Sequence, residues 1–524
     1  MEQEVILRAG TPNDDNRDYL PEAIKGSDMV VNENGNNSQP YPERLTEHTG
    51  VLAADGLEDR WYEYVPAGYD GTKPVPLIVG NHGGLMTGWG HAIYTSWTLL
   101  ADREGFICVF PDAHQARIWQ VEGMFNDHTP SFFDGKELAK VPADYRENHD
   151  MNFVLALIRH MQEKYNIDSG RIFMQGMSAG NLFTAQFCRY YGNILAGAAG
   201  SGGPTQLDML FTDDGKFKNV AGHLPVWQAR PETNGTPPGR PYGEKLLNRF
   251  NRFYWMALND CDPLPKISVV GENNFAFYSG KKGDVVYHDI KNRDHGQTLD
   301  EAFLYWDYLF SGLRREADGS ITQSDTRIPR QGDAYAFAVT DGSDKAWFRN
   351  EIVPMRVPAT RWQKLKYHGL NGGTKVRGEY LCVPLSFLAL VSGAELSYGE
   401  GNLTARMTLP DGRRLQFARG SIGCVIGNDL RSMYCEALHR GGELLVGIEW
   451  FCRYLLNLHV SECAGTVYVT DHFSTLSANL ADVIRELLYG KLWPESFRYM
   501  DYREVDGSFC APDEEEVKKW DSNG

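Results

Sequence analysis

From about residue 60 to residue 312, short apolar runs alternate with longer amphipathic stretches. RWYEYVPAGY (60–69) and PVPLIVGNHGG (74–84) read as strands closed by turn residues. SWTLLADREG (96–105) reads as a helix and FICVFPDA (106–113) as a buried strand. In MNFVLALIRHMQEKY (151–165), Met151, Val154, Leu155, Ile158, Met161 and Tyr165 recur at the spacing of one helical face. Then come a strand, RIFMQ (171–175), a helix, AGNLFTAQFCRYYG (179–192), and the strands NILAGAAG (193–200), LPVWQA (224–229) and GDVVYHDI (283–290). LDEAFLYWDYLFSG (299–312) reads as the last amphipathic helix. Strands alternating with helices of this length predict an α/β fold whose mostly parallel sheet is covered on both faces.

The alternation stops near Gly312. Residues 313–332 are charged and turn-rich and read as a linker, and 333–510 read as an α+β domain of short strands. That domain contains a tandem repeat. EYLCVPLSFLALVSGAELSY (379–398) and GELLVGIEWFCRYLLNLHVS (442–461) each read as strand, short apolar helix, strand. Val383 matches Val446, Leu385 matches Ile448 and Phe387 matches Trp450. Residues 1–48 read as a polar arm, 49–312 as the α/β domain and 511–524 as a charged tail.

The net charge is −17, from 52 Lys and Arg against 69 Asp and Glu. Such a chain repels phosphates and anionic lipid, which argues against nucleic-acid and membrane partners. No apolar run is long enough to span a bilayer. The first residues carry no signal-peptide pattern, so a cytoplasmic location is the default and a secreted or surface location with the signal removed is the alternative. The nine cysteines follow no metal-binding or redox spacing and are expected as buried thiols, with pairing in the last third open if that part is secreted.

The chemistry centres on Gly176-Met177-Ser178-Ala179-Gly180, a G-x-S-x-G placed between a predicted strand and a predicted helix. A sharp strand-to-helix turn needs small residues beside the serine, and the helix start offers free N–H groups to developing negative charge. A serine hydroxyl needs a base. His295 fits best, because it follows a strand and a short turn and precedes the last helix; His223 and His288 lie before a strand and within one. The acid belongs after the preceding strand, where Glu232 stands, with Asp260 and Asp262 as rivals. The oxyanion donors are expected at the amides of Ala179 and Gly84, with Leu85 adjacent. Trp119 and Phe125 follow the strand 106–113 and, with Leu85, are candidate substrate contacts; residues 112–148 and 202–224 are long enough to wall a pocket. No metal site is expected.

Residues 60–312 resemble the esterase family of polyhydroxybutyrate depolymerases, feruloyl esterases and acetylxylan esterases. The stretches that carry the likeness are NHGGLMTGWGHAIYTSWTLLADREGFICVFPDA, HDMNFVLALIRHMQEKYNIDSGRIFMQGMSAGN, FYWMALNDCD and the strand and loop around His295. The resemblance implies an α/β-hydrolase fold and a serine carboxylesterase without metal or organic cofactor. It also implies catalytic roles for Ser178 and His295 and an oxyanion role for Gly84. The chain departs from the family pattern at Asn181, where the family usually has Gly, at Glu232, where it usually has Asp, and at Asp294-His295-Gly296-Gln297, where it usually reads G-H-x-W-P. Residues 375–472 resemble, more faintly, the stalk-type repeat at the amino end of copper amine oxidases, which implies neither copper nor amine oxidation here.

The expected partner is an ester substrate, of the feruloyl, acetyl or hydroxyalkanoate type, free or linked to a plant polysaccharide or polyester. Two other readings stand beside it: the same triad acting as a peptidase or thioesterase, and an inactive hydrolase scaffold used for binding. The second domain is expected to pair subunits or hold a polymer, with Trp347 and Trp362 as exposed aromatics.

Overall fold

The computed structural model describes residues 5–7, 41–123, 131–133, 136–138, 140–212, 215–233, 244–368 and 373–490. They form two compact units. The first takes the residues up to Pro263 and Phe277–Arg330; the second takes Leu264–Ala276 and the residues from Gln331 onward.

In the first unit, β1 (Leu45–Gly50), β2 (Asp59–Tyr64), β3 (Val75–Asn81), β4 (Ile107–Pro111), β5 (Ile167–Met177), β6 (Gly197–Ser201), β7 (Val226–Thr233) and β8 (Val285–Asp294) lie in the order β1-β2-β4-β3-β5-β6-β7-β8. The first two pairings are antiparallel and every later one, from β4 to β8, is parallel. All five residues of β4 and of β6 are buried, as a strand covered on both faces requires. The helices are α1 (Gly88–Tyr94), α2 (Trp97–Glu104), α3 (His149–Lys164), α4 (Ala179–Tyr191), α5 (Glu244–Asn259) and α6 (Glu301–Tyr308). α3 begins where the Asn148 side chain accepts from the Met151 amide at 3.0 Å, and it buries Met151, Val154, Leu157, Ile158 and Met161. Leu157, rather than the expected Leu155, completes that face.

Two expected boundaries move. Leu45–His48, read as the end of a polar arm, belong to the strand Leu45–Gly50, which pairs with β2 along its whole length. The stretch after Gly312, read as a linker, folds back as a hairpin of Leu313–Arg315 with Ile321–Gln323 and belongs to the first unit. Arg315 fixes it: the guanidinium donates to the carbonyls of Leu195 at 2.5 Å and of Gly192 and His223, each at 3.2 Å. A charged side chain in a sequence window reads as solvated; here it satisfies three buried carbonyls.

The second unit is built from antiparallel sheets. Five strands run in the order Glu351–Pro354, Lys345–Phe348, Ala336–Thr340, Thr466–Thr470, His459–Cys463, and four in the order Thr360–His368, Gly373–Pro384, Glu443–Gly447, Leu438–Arg440. The repeat is visible in the pairing: Val383 and Val446, matched by sequence, are direct partners across the Gly373–Pro384 and Glu443–Gly447 strands. A helical segment follows each of these strands. Trp347, expected exposed, is fully buried and stacks on Tyr468, because its strand lies inside the sheet, paired on both sides. Trp362 is half-buried under Arg440. All eight described cysteines are free thiols, and Cys382 and Cys435 place their Sγ atoms 3.6 Å apart. Cys510 lies outside the described residues. Among the described residues no helix is long and apolar enough to cross a membrane.

Candidate active site

Strand β5 ends at Met177, α4 begins at Ala179, and Ser178 makes the whole turn with φ 82° and ψ −107°. A serine at positive φ stores roughly 1–3 kcal/mol of strain and lifts its side chain out of the strand line. The flanking glycines are steric requirements. A Cβ at Gly176 would stand 2.1 Å from the Gly180 carbonyl oxygen, and one at Gly180 would stand 2.2 Å from that of Asn81. The Ser178 amide is held by the Ser201 carbonyl at 3.0 Å, so β6 fixes the turn from the side.

His295 follows directly on β8. Its Nε2 lies 2.7 Å from Ser178 Oγ, 117 residues away in sequence. That single hydrogen bond brings together the two residues on which the sequence reading turned. His288 is buried inside β8 with its pKa pushed down to about 3 by burial, and His223 lies on the approach to β7; neither is the partner of Ser178.

Glu232 sits at the end of β7, beside the irregular stretch of β8 between Ile290 and Asp294. Its Oε1 accepts from Lys291 Nζ at 2.9 Å and its Oε2 from the Asn292 amide at 3.0 Å. The carboxylate therefore fastens the segment that delivers His295. Asp260 is placed otherwise: it pairs with Lys281, which precedes β8, while His295 follows the other end of that ten-residue strand. At the ordinary strand rise the two ends are about 30 Å apart. Asp262, two residues on, bonds Ser279 through its amide at that same far end.

Gly84 and Ala179 face one another: a Cβ on Gly84 would meet that of Ala179 at 3.6 Å. Among the described residues neither amide donates to a protein acceptor. The Leu85 amide, by contrast, donates to the Arg117 carbonyl at 2.9 Å, and Leu85 itself is bent to φ 63°. Two buried rings hold this loop. His82 accepts from the Ala113 amide at Nε2, 2.9 Å, which leaves the proton on Nδ1, facing the Gly83 carbonyl at 2.6 Å. Burial lowers its pKa to about 3, so the ring is neutral. Trp119 donates its indole N–H to the His82 carbonyl at 2.8 Å and stacks on Phe183. Trp119 is 1% exposed, which corrects the expectation of a substrate contact: both its faces and its one donor are spent inside the protein. Phe125 lies outside the described residues.

Sequence reasoning missed a second tier. Gln175 receives the Trp97 indole N–H at 2.9 Å and the His91 Nε2–H at 2.8 Å on one oxygen, and donates its amide to Gln297 Oε1 at 2.9 Å. The Gln297 backbone N–H in turn donates to the Tyr94 hydroxyl at 2.8 Å. Gly202, at φ 104°, lies against both Ser178 and His295: a Cβ there would come within 3.2 Å of Ser178 Cα and 3.5 Å of His295 Cε1. Asn181 uses its Nδ2 to donate to the Gly203 carbonyl at 2.7 Å and fills the space beside Gly200. Isolated Gln, Asn and Gly residues carry no sequence signal of such contacts.

A parallel sheet flanked by helices, an antiparallel edge, a strained serine between strand and helix, and a histidine after the last parallel strand decide the fold. The first unit has an α/β-hydrolase fold. No family model matches the chain. Four curated relatives do, three of which follow. The chain is 27% identical over 130 residues to a bifunctional acetylxylan esterase/xylanase of Neocallimastix patriciarum, covering 25% of this chain and 16% of the relative. It is 27% identical over 143 residues to feruloyl esterase B of Thermothelomyces thermophilus, covering 27% and 43%. It is 24% identical over 156 residues to poly(3-hydroxyalkanoate) depolymerase C of Paucimonas lemoignei, covering 29% and 34%. The chain thus spans less than half the length of each of these three relatives.

Proposed function

We propose that this α/β-hydrolase is a serine carboxylic ester hydrolase working through an acyl-enzyme. The 2.7 Å contact between Ser178 Oγ and His295 Nε2, on a strained turn beside two undonated amides, carries the reading. Ser178 Oγ attacks the ester carbonyl and its proton passes to His295 Nε2. Charge on the carbonyl oxygen is received by the Gly84 and Ala179 amides and by the positive end of α4, and each such donor is worth about 3–4 kcal/mol of barrier. The imidazolium then protonates the leaving alkoxide, the alcohol departs, and a water deprotonated by His295 releases the acid and regenerates Ser178. Glu232 orients the histidine-bearing segment and favours its charged form. No metal or organic cofactor enters these steps.

The ester is of the feruloyl, acetyl or hydroxyalkanoate type, linked to a polysaccharide or a polyester, by analogy with the three relatives. Hydrolysis of 4-nitrophenyl acetate and butyrate, methyl ferulate, acetylated xylan and a polyhydroxybutyrate suspension, each beside the matching amide or thioester where one exists, tests it. Turnover of one ester class that Ser178→Ala abolishes is expected. Faster amide or thioester turnover overturns the substrate assignment.

A further inference from the structure

We propose that the first unit holds a divalent transition-metal ion, Zn²⁺ foremost, between Asp59, His114 and His149, away from Ser178. These residues are separated by 55 and 35 positions, so no ligand spacing appears in the sequence. The fold joins them. Asp59 opens β2, His114 lies three residues after β4, and His149 opens α3. One donor atom from each lies within 4.8 Å of the others, and the two imidazole rings are 4.4 Å apart at their centroids.

Asp59 Oδ1 accepts from His114 Nδ1 and from His149 Nε2, both at 2.9 Å. Its other oxygen, Oδ2, is buried in a side chain with no exposed surface and, among the described residues, receives no hydrogen bond. A buried carboxylate oxygen without a donor is costly, and a cation on the carboxylate removes that cost. Behind His149 stands a second carboxylate, with Asp55 Oδ2 2.5 Å from Nδ1. A carboxylate on the far nitrogen of a ligating histidine is the arrangement that fixes its ring and raises its basicity at metal centres. His114 is 31% exposed and opens with Asp59 onto a cavity of about 340 Å³. Thr87, Glu58 and Asp112 complete its acidic and hydroxyl wall, and Arg60 and Arg117 also border it. Two nitrogens and a carboxylate with an open side make a three-ligand site whose further positions go to water, a set that suits zinc and its neighbours rather than calcium or magnesium.

On binding, His149 releases its Nε2 proton to solvent and keeps its Nδ1–H on Asp55, His114 carries its ring proton on Nε2 instead of Nδ1, and the two freed nitrogens become ligands. The ion would clamp the segment after β4 to β2 and α3. Ala113, next to His114, gives its amide to His82 under the Gly84 loop. The clamp would therefore also support the oxyanion loop, without taking part in ester chemistry.

The test is calorimetric titration of chelator-treated protein with ZnCl₂, with metal content by elemental analysis and thermal unfolding with and without the ion. One saturable equivalent that raises the melting temperature is expected. His114→Gln should abolish it, His295→Ala should keep it, and Asp55→Asn should weaken it roughly 10- to 100-fold. Circular dichroism establishes that each variant is folded; should His114→Gln fail to fold, the partly exposed Asp55→Asn decides. No saturable binding to the wild type, binding unchanged in His114→Gln and Asp55→Asn, or binding lost in His295→Ala overturns the proposal.

Discussion

Gln175 Nε2 donates to Gln297 Oε1 at 2.9 Å, joining the strand three residues before Ser178 to the loop two residues after His295. Both side chains are fully buried. Ser178 and His295 are thus spanned by a brace whose ends are set in the core. Gln297→Leu leaves the Gln175 amide without its acceptor, and the expected cost is about 1–3 kcal/mol of stability. Because the brace fixes the separation of the two residues, kcat should fall more than the folded fraction does. Urea denaturation and steady-state kinetics on the same variant check this; an activity loss equal to the loss of folded protein contradicts it.

Gly202 is the position where a single methyl group meets both catalytic candidates. At φ 104° an alanine is strained, and its Cβ would press on Ser178 Cα and His295 Cε1. Gly202→Ala is expected to lower kcat at least roughly tenfold, the cost of a misplaced near-attack geometry, while unfolding shifts by about 1–2 kcal/mol. Kinetics near wild type would show that this contact does not set the geometry.

Trp119→Phe keeps an aromatic ring beside Phe183 and removes the indole N–H that holds the His82 carbonyl, together with part of the ring volume. The expected result is a lower kcat with KM unchanged, because the proposed role of the Gly84 amide is to receive charge that exists only in the transition state. A rise in KM alone would return Trp119 to a substrate-contact role.

Glu301 gives a pH dependence whose sign runs against the usual carboxylate. Burial raises its pKa from the ordinary 4.5 to about 7, with Tyr305 OH and the Thr298 amide donating to it. The folded protein therefore keeps a proton that the unfolded chain releases. That contribution to stability is full below about pH 4.5 and declines as pH rises to about 7, by about 3 kcal/mol over the window. Glu301→Gln should flatten this part of the stability–pH curve, measured by chemical denaturation from pH 5 to 8. Equal slopes in variant and wild type contradict it.

Much of this was legible in the sequence because the physics is local. Strand period, helical face and the Gly176-to-Gly180 turn each lie within one window of residues, and the 63-residue offset of Val383 and Val446 became a strand pairing. What was not legible depends on partners distant in sequence. Trp119 read as a loop aromatic until the His82 carbonyl and Phe183 occupied it. Arg315 read as a linker charge until three carbonyls took it. Gln175, Gln297 and Gly202 have no motif, since their importance comes from what they touch.

The proposed function rests on Ser178 as a nucleophile activated by His295. The direct measurement is reaction with a serine-directed organophosphorus ester, followed by intact mass and peptide mapping. A single adduct on Ser178, formed in step with loss of ester turnover, and far slower labelling in His295→Ala are expected. An unlabelled Ser178, or Ser178→Ala that still hydrolyses the same ester at the wild-type rate, would contradict it.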